Sequence, residues 1–283
     1  MHENTGNRDM HTQLIRTVGR LKRRAALAAL GTLFATAVAA QNVPPPEPGK
    51  MVLEPKAMAL LKQAGTVLAA ASSMSFSAVA SYEYPSQLGP PILYSVRYDV
   101  AMQRPDKLRV IIPGDGPASE FYYDGTSMMA FSPAENLVAV TNAPPTIDGA
   151  LKAAFETADI YYPFTDLLVA DPYDALTNGA ILAFTIGSSA VVGGVKTDMV
   201  AWANDEVFLQ IWLGVDDKLP RRVRALYRAD PLALHHQIDI SDWRLGQPIG
   251  ADAFASEKAK AAQPMRFDRP AGTAVAAKPK PPQ

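Results

Sequence analysis

The chain has 283 residues, no cysteine, and a nearly balanced charge, with 27 Lys and Arg residues against 28 Asp and Glu residues. The lack of cysteine excludes disulfide bonds, cysteine catalysis and attachment of a lipid to an N-terminal cysteine. The charge balance is not typical of a nucleic-acid-binding protein, which needs clustered basic residues, so we expect no nucleic acid partner.

Residues 1–40 are predicted to form a signal peptide. A basic segment that includes Arg16 and Arg20 precedes an alanine-rich apolar run from Ala25 to Ala37, and small residues suited to cleavage follow it. The run is shorter than the ~20 residues that a membrane-spanning helix needs. We therefore expect export to the bacterial periplasm as a soluble protein, with no stable membrane span after cleavage.

The rest of the chain divides by composition. Residues 41–54 are proline-rich and predict a stiff linker, whereas residues 271–283 have the composition of a disordered tail. The body, residues 55–270, has the length of one domain. It opens with a one-sided apolar stripe over residues 54–71, which predicts a helix.

Alternating apolar and polar residues then predict a meandering antiparallel sheet. The clearest example is residues 92–112, where the apolar positions continue with the same parity on both sides of a turn at Arg104-Pro105. Asp124-Gly125 is typical of a tight hairpin turn between two further strands. Five more strands are predicted near residues 181–188, 195–203, 207–213, 221–227 and 234–243.

Between these two sets of strands, residues 147–176 change to a helical period, with Pro163 early in one helix and Asp171-Pro172 ending it. The apolar stripe of such an insertion needs cover, so it is expected to lie across the face or mouth of the sheet. The predicted fold class is α+β: a strongly curved antiparallel sheet, an unclosed half-barrel of about ten or eleven strands, wrapped over a helical lid.

Four short motifs follow one another along the predicted elements: Ser72-Ser73-Met74-Ser75-Phe76, Arg104-Pro105-Asp106-Lys107-Leu108-Arg109, Asp124-Gly125-Thr126 with Ser132-Pro133, and Pro163-Phe164 with Leu167-Leu168. In these motifs and in the order of its elements the chain resembles the periplasmic lipoprotein carriers of the LolA/LolB-like superfamily, and more closely a family of predicted periplasmic proteins with no assigned function within it. The resemblance implies an unclosed barrel with a helical lid and a bound lipid or acylated cargo.

If the sheet is a half-barrel, one face lines an apolar cavity suited to acyl chains. The resemblance also implies that Arg104 hydrogen-bonds the lid and couples its opening to cargo uptake. The alternative is that the same apolar side chains are a filled core. The candidate ligand-binding residues are Tyr94, Val96, Tyr98, Val100, Met102, Leu108, Val110 and Ile112 of the sheet and Phe164, Leu167 and Leu168 of the lid.

No pattern indicates an enzyme, a metal site or a cofactor, so we expect none of them. His235 and His236 are neighbours on a predicted strand and point to opposite faces, which prevents them from sharing one metal ion. The densest basic cluster contains Arg222, Arg224 and Arg228. It predicts either a solvated outer face or a contact for an envelope protein, in which case the chain is an interaction or sensor module with a packed core.

Overall fold

The computed structural model describes residues 52–87, 89–114 and 116–269. The predicted signal peptide of residues 1–40, residues 41–51 of the predicted linker and the predicted tail of residues 271–283 lie outside the described residues.

Five α-helices are found in the described part of the chain. Helix α1 begins at a proline, and its buried residues recur every three or four positions, so one stripe faces the core. Gly65 of α1 lies so close to Tyr173 that an added Cβ would be 2.6 Å from the Tyr173 Cβ, which leaves no room for a side chain. The helices are α1 (Pro55–Ala70), α2 (Ile147–Ala158), α3 (Thr165–Leu168), α4 (Pro172–Thr177) and α5 (Glu257–Lys260).

Within the described residues, twelve strands form one sheet, in the order β12-β6-β5-β4-β3-β2-β1-β11-β10-β9-β8-β7. Every pairing is antiparallel except that of β12 with β6. The strands are β1 (Ser73–Tyr84), β2 (Ile92–Gln103), β3 (Lys107–Ile112), β4 (Ser119–Tyr123), β5 (Ser127–Ser132), β6 (Leu137–Asn142), β7 (Leu182–Ser189), β8 (Thr197–Ala203), β9 (Val207–Gly214), β10 (Pro220–Tyr227), β11 (His236–Leu245) and β12 (Gln263–Met265).

The sheet is open, because β7 and β12 are its two ends and do not pair with each other. The free edge of β7 is covered by the residues before α1. Leu53 bridges to Ala183, and the Glu54 carboxylate accepts hydrogen bonds from the Thr185 backbone N–H at 2.7 Å and from its hydroxyl. An edge strand covered in this way offers fewer free backbone groups to another chain.

The predicted fold class is confirmed as an α+β half-barrel. The strand number is twelve rather than ten or eleven, because the three-residue strand β12 is too short to give an alternation pattern. The predicted helix from Pro163 to Asp171-Pro172 is shorter than expected, because α3 begins after Phe164 and already ends at Leu168. Asp171-Pro172 begins α4 instead, where the Asp171 carboxylate accepts a hydrogen bond from the Asp174 N–H at 2.9 Å.

Helices α2, α3 and α4, together with the residues that join them, form the lid (residues 147–177). They connect β6, beside one end of the sheet, to β7 at the other end, so the chain must cross the sheet between them. One core cluster joins buried residues of α1 and the lid to the inward residues of the strands. The opposite face of β5 and β6 is covered by α5, where Ala259 and Ala262 pack on Phe131 and Val138.

Candidate functional site

A cavity of about 500 Å³, the main cavity, lies between the lid and the strands β1, β9, β10 and β11. Its wall is mainly apolar and combines sheet and lid residues. This composition and size are typical of a site for a small or chain-like apolar ligand. The apolar side chains of the wall are Ala80, Phe155, Pro163, Phe164, Leu167, Leu176, Leu209, Val223, Ala225, Ile238 and Ile240.

Two of the inward positions in the wall are small. Ala80 of β1 and Ala225 of β10 contribute only a methyl group each. On the other side of Phe164 the space is filled by aromatic rings. The ring centroid of Phe164 lies 5.5 Å from Phe76, 5.3 Å from Tyr98 and 5.6 Å from Tyr162. These edge-to-face and stacked contacts fix the position of the lid over β1 and β2.

One end of the main cavity is polar. Asp166 of α3, Tyr161 before α3, Tyr227 of β10 and His236 of β11 line it. The hydroxyl groups of Tyr161 and Tyr227 interact with each other, and the Tyr227 and His236 rings are 5.2 Å apart. Burial raises the pKa of the Asp166 carboxyl to about 6 and lowers the pKa of His236.

The strand ends next to this polar end carry exposed apolar side chains. Tyr82, in the cavity wall, is directly opposite Tyr94 and stacks on it at 5.8 Å. Leu93 is 65% exposed, and Leu232 lies in the loop between β10 and β11. We call the exposed residues that continue the face of Tyr82 the apolar rim: Tyr84, Ile92 and Tyr94. Leu93 points to the opposite face of β2.

A second cavity of about 600 Å³, the lid cavity, lies among α2, α3 and α4. It shares Phe155, Tyr161 and Asp166 with the main cavity, so these three side chains separate the two spaces. Its other lining residues include four further carboxylates and one lysine, Lys152. The lid cavity is therefore an acidic environment beside the polar end of the main cavity.

Arg104 follows β2 and reaches the lid. Its guanidinium donates to the carbonyl oxygen of Val169 after α3 at 2.8 Å, and to that of Leu68 near the end of α1 at 3.5 Å. Burial lowers its pKa, whereas nearby Asp148 of α2 raises it. The arginine thus joins the sheet, α1 and the lid, and this is the contact that the resemblance led us to expect at this position.

The sequence-predicted site residues are not all brought together. Tyr98, Phe164 and Leu167 line the main cavity. Val100, Met102, Leu108, Val110 and Leu168 lie in the packed core, each at most 2% exposed. Tyr94 belongs to the apolar rim, and partly buried Val96 pairs with Ala80. Ile112 lines a separate cavity of about 420 Å³ beside β4, β5 and β6.

Sequence reasoning did not select the wall formed by β9, β10 and β11, or Asp166 and Tyr161 of the lid. The signal was present in the strands, because Val223, Ala225 and Tyr227 alternate with arginines, and His236, Ile238 and Ile240 alternate with polar residues. Asp166 carried no such signal, since an acidic residue in the first turn of a helix is ordinary.

Arg222 and Arg224 of β10 lie on the face opposite the main cavity. Arg222 binds Asp239 and lies over the Trp212 ring at 5.8 Å, and an Arg224 nitrogen is 3.1 Å from His235 Nε2. His235 and His236 point to opposite faces, as predicted.

Among residues 52–269, apart from the undescribed positions 88 and 115, no group of three possible metal ligands is found. No helix in this part of the chain is long and apolar enough to cross a membrane.

A protein-family model described as "Predicted periplasmic protein (DUF2092)" matches residues 57–268. No curated protein matches the chain. Its fold is similar to that of several solved structures at low sequence identity. The lipoprotein LppX of Mycobacterium tuberculosis is 13% identical with a TM-score of 0.45, and the match covers 71% of this chain and 100% of LppX.

Two further solved structures are similar to this chain at comparable sequence identity and lower TM-scores. The LolA superfamily protein NE2245 of Nitrosomonas europaea is 12% identical with a TM-score of 0.35, over 71% of this chain and 98% of that protein. A chain of the Pseudomonas aeruginosa MucA/MucB complex is 13% identical with a TM-score of 0.38, over 72% of this chain and 62% of that one.

Proposed function

The chain belongs to the DUF2092 family of predicted periplasmic proteins, and from this premise we propose that it is a non-enzymatic periplasmic carrier. It holds a lipid or acylated cargo in the main cavity, beneath the helical lid. The observation that carries the proposal is an apolar space of about 500 Å³ between lid and sheet. The proposed layout is an exported chain with one binding domain at residues 55–270.

The main cavity supplies enough binding energy for part of an acyl chain. Each buried methylene contributes ~0.8 kcal/mol, so eight methylenes would contribute roughly 6 kcal/mol before the entropic cost of binding. The apolar rim adjoins the same cavity at Tyr82 and extends apolar surface beyond its mouth. An acyl chain that is too long for the cavity would pack its remaining methylenes against the apolar rim.

The lid gives the carrier its means of loading and release. Because Arg104 holds the Val169 carbonyl of the lid and the Leu68 carbonyl of α1, it is the proposed coupling residue between cargo and lid position. A cargo that displaces Leu167 or Phe164 must move the segment that Arg104 holds. Cargo exchange is then limited by breaking these hydrogen bonds.

The experiment that tests the proposal is native mass spectrometry of protein purified from a periplasm, followed by lipid extraction. Near-stoichiometric lipid or acylated peptide is the expected result. Protein that emerges empty and fails to bind a neutral fluorescent apolar probe would contradict the carrier function. The apolar walls would then be an imperfectly filled core.

A second candidate function is an envelope interaction or sensor module that binds another protein through an edge strand or its arginine face. The observation that favours it is the outward row of Arg222 and Arg224. Both side chains already have partners in Asp239 and His235, so a protein partner must compete for them. Capture of a defined envelope protein that is lost in the Arg222→Ala, Arg224→Ala double variant would support this candidate.

A further inference from the structure

Asp166 is an unpaired carboxylate at the polar end of the main cavity. It lines both the main cavity and the lid cavity. In the described part of the chain its side chain has no hydrogen bond or ion pair, and the shift in its pKa comes from burial alone. A partly buried carboxylate without a partner is unfavourable for folding, so its position calls for an explanation.

Of the five other described carboxylates that line the two cavities, all but Asp174 have structural partners. Asp148 accepts a hydrogen bond from the Ala170 N–H at 3.1 Å, Asp171 caps α4, and Glu156 pairs with Lys152 at 3.8 Å. Asp159, which also lines the main cavity, pairs with Arg269 at 3.4 Å. Asp166 is therefore the carboxylate of the main cavity for which no partner is found among the described residues, and the cavity beside it has room for a ligand.

The surroundings of Asp166 favour a positive charge. Among the described residues, no lysine or arginine lines the main cavity, and those that line the lid cavity include five carboxylates, Asp166 among them, against Lys152. The rings of Phe155, Tyr161 and Tyr227 lie at the same end. Aromatic faces attract cations, and quaternary ammonium groups are bound in this way by aromatic side chains.

From this arrangement we infer that the main cavity selects amphiphiles with a cationic head group, an amine or a quaternary ammonium. Asp166 neutralises the head group, Tyr161, Tyr227 and Phe155 enclose it, and the apolar wall takes the chain. The inference rests on the proposed carrier function, because it names the class of cargo for the same cavity. An anionic head group would meet Asp166 without a compensating cation.

The test uses the protein purified from a periplasm and delipidated, with N-phenyl-1-naphthylamine as a neutral fluorescent probe. Three competitors of equal chain length displace the probe: dodecyltrimethylammonium, dodecanol and dodecanoate, each below its micelle concentration. The expected order is cation, alcohol, then carboxylate, with the cation about tenfold tighter than the alcohol. In Asp166→Asn the cation loses this advantage, whereas the affinity for dodecanol stays the same.

Asp174→Asn is the matched control, since Asp174 lines the lid cavity but not the main cavity. It should keep the preference for the cation. Lowering the pH from 8 to 5 should remove the preference in the parent protein, because Asp166 becomes protonated and dodecyltrimethylammonium does not titrate. Of the groups that face Asp166 from other elements, Tyr161 and Tyr227 stay neutral in this range, because burial raises the pKa of both. His236 can gain a positive charge on acidification, so the same pH series in Asp166→Asn gives its separate contribution, and the part of the loss seen only in the parent protein belongs to Asp166.

The outcomes distinguish the carrier function from the selectivity for a cationic head group. A probe that does not bind contradicts the carrier function itself. A probe that binds and is displaced equally by the three competitors leaves the carrier function intact and overturns the cationic selectivity. A preference for the cation that survives in Asp166→Asn overturns the role of Asp166.

Discussion

The same helices cover two parts of one sheet, and the space between helices and sheet is densely packed in one part and hollow in the other. Over β2 and β3 the inward side chains Val100, Met102, Leu108 and Val110 are packed, each at most 2% exposed. Over β9, β10 and β11 the inward side chains face a cavity of about 500 Å³. Both parts alternate apolar and polar residues, so alternation alone does not determine whether the space above a strand is filled.

The difference comes from the side chains that lie between the helices and the strands in each part. Phe164 forms a cluster with Phe76, Tyr98 and Tyr162 on one side. On its other side the lid brings Leu167 and Leu176 against the small residues of β1 and β10. Protein interiors are normally packed to crystal-like density, so an apolar space of this size is a feature to be tested.

The largest expected contrast is in stability. Leu108→Ala in the packed part should lower the free energy of unfolding by ~2–5 kcal/mol, because it leaves a new void in a dense core. Leu209→Ala, at the wall of the main cavity, should cost less than ~1.5 kcal/mol, since its side chain already borders open space. Urea unfolding of both variants measures the difference. Equal losses would contradict the distinction between a packed and a hollow part.

Arg104 joins the two parts through the lid, and its removal should have a smaller effect. Arg104→Leu leaves the Val169 carbonyl without its donor and should lower the free energy of unfolding by ~1–3 kcal/mol. It should also accelerate exchange of the bound probe, because the lid is held less firmly.

Arg97→Leu is the control for Arg104, because Arg97 is exposed and pairs only with Asp99. It should change neither stability nor exchange by a measurable amount. Stopped-flow exchange of the probe gives the comparison. Unchanged exchange in Arg104→Leu would remove the lid-coupling role and leave Arg104 a structural residue.

Filling the hollow part should weaken binding of the probe with little effect on folding. Ala225→Trp places an indole in the main cavity and should weaken probe affinity by about tenfold or more, equivalent to ~1.4 kcal/mol. Val79→Trp, on the outward face of β1, is the control and should bind normally. Fluorescence titration checks both variants. Normal binding in Ala225→Trp would mean that the probe occupies another site.

The sequence predicted the half-barrel because strand alternation and helical period are local patterns. It also pointed to Arg104, which lies at a turn between two clear strands. It could not locate the hollow part, because the filling of space above Val110 or Val223 depends on which lid residue arrives there from far along the chain. The role of Asp166 could not be predicted for the same reason, because the lack of a partner for its carboxylate depends on which residues surround it in the folded protein.

The smallest expected effect is the pH dependence that Asp166 gives to stability. Burial raises the pKa of its carboxyl to about 6, above the value of about 3.9 in an unfolded chain. Between these values the folded state binds more protons than the unfolded state, so the group's contribution to stability falls as pH rises. At pH 7 the charged, partly buried carboxylate is a cost, whereas at pH 4 and below most of that cost is absent.

Asp166→Asn should therefore be more stable than the parent at pH 7, by on the order of 1–2 kcal/mol, with the difference shrinking towards pH 4. His236 has the opposite sign, because burial lowers its pKa and acid then destabilises the fold, but it is present in both proteins and cancels in the difference. Urea unfolding from pH 4 to 8 provides the test. A difference that does not vary with pH would show that Asp166 is as well solvated as a surface carboxylate, and a head group would then gain little from pairing with it.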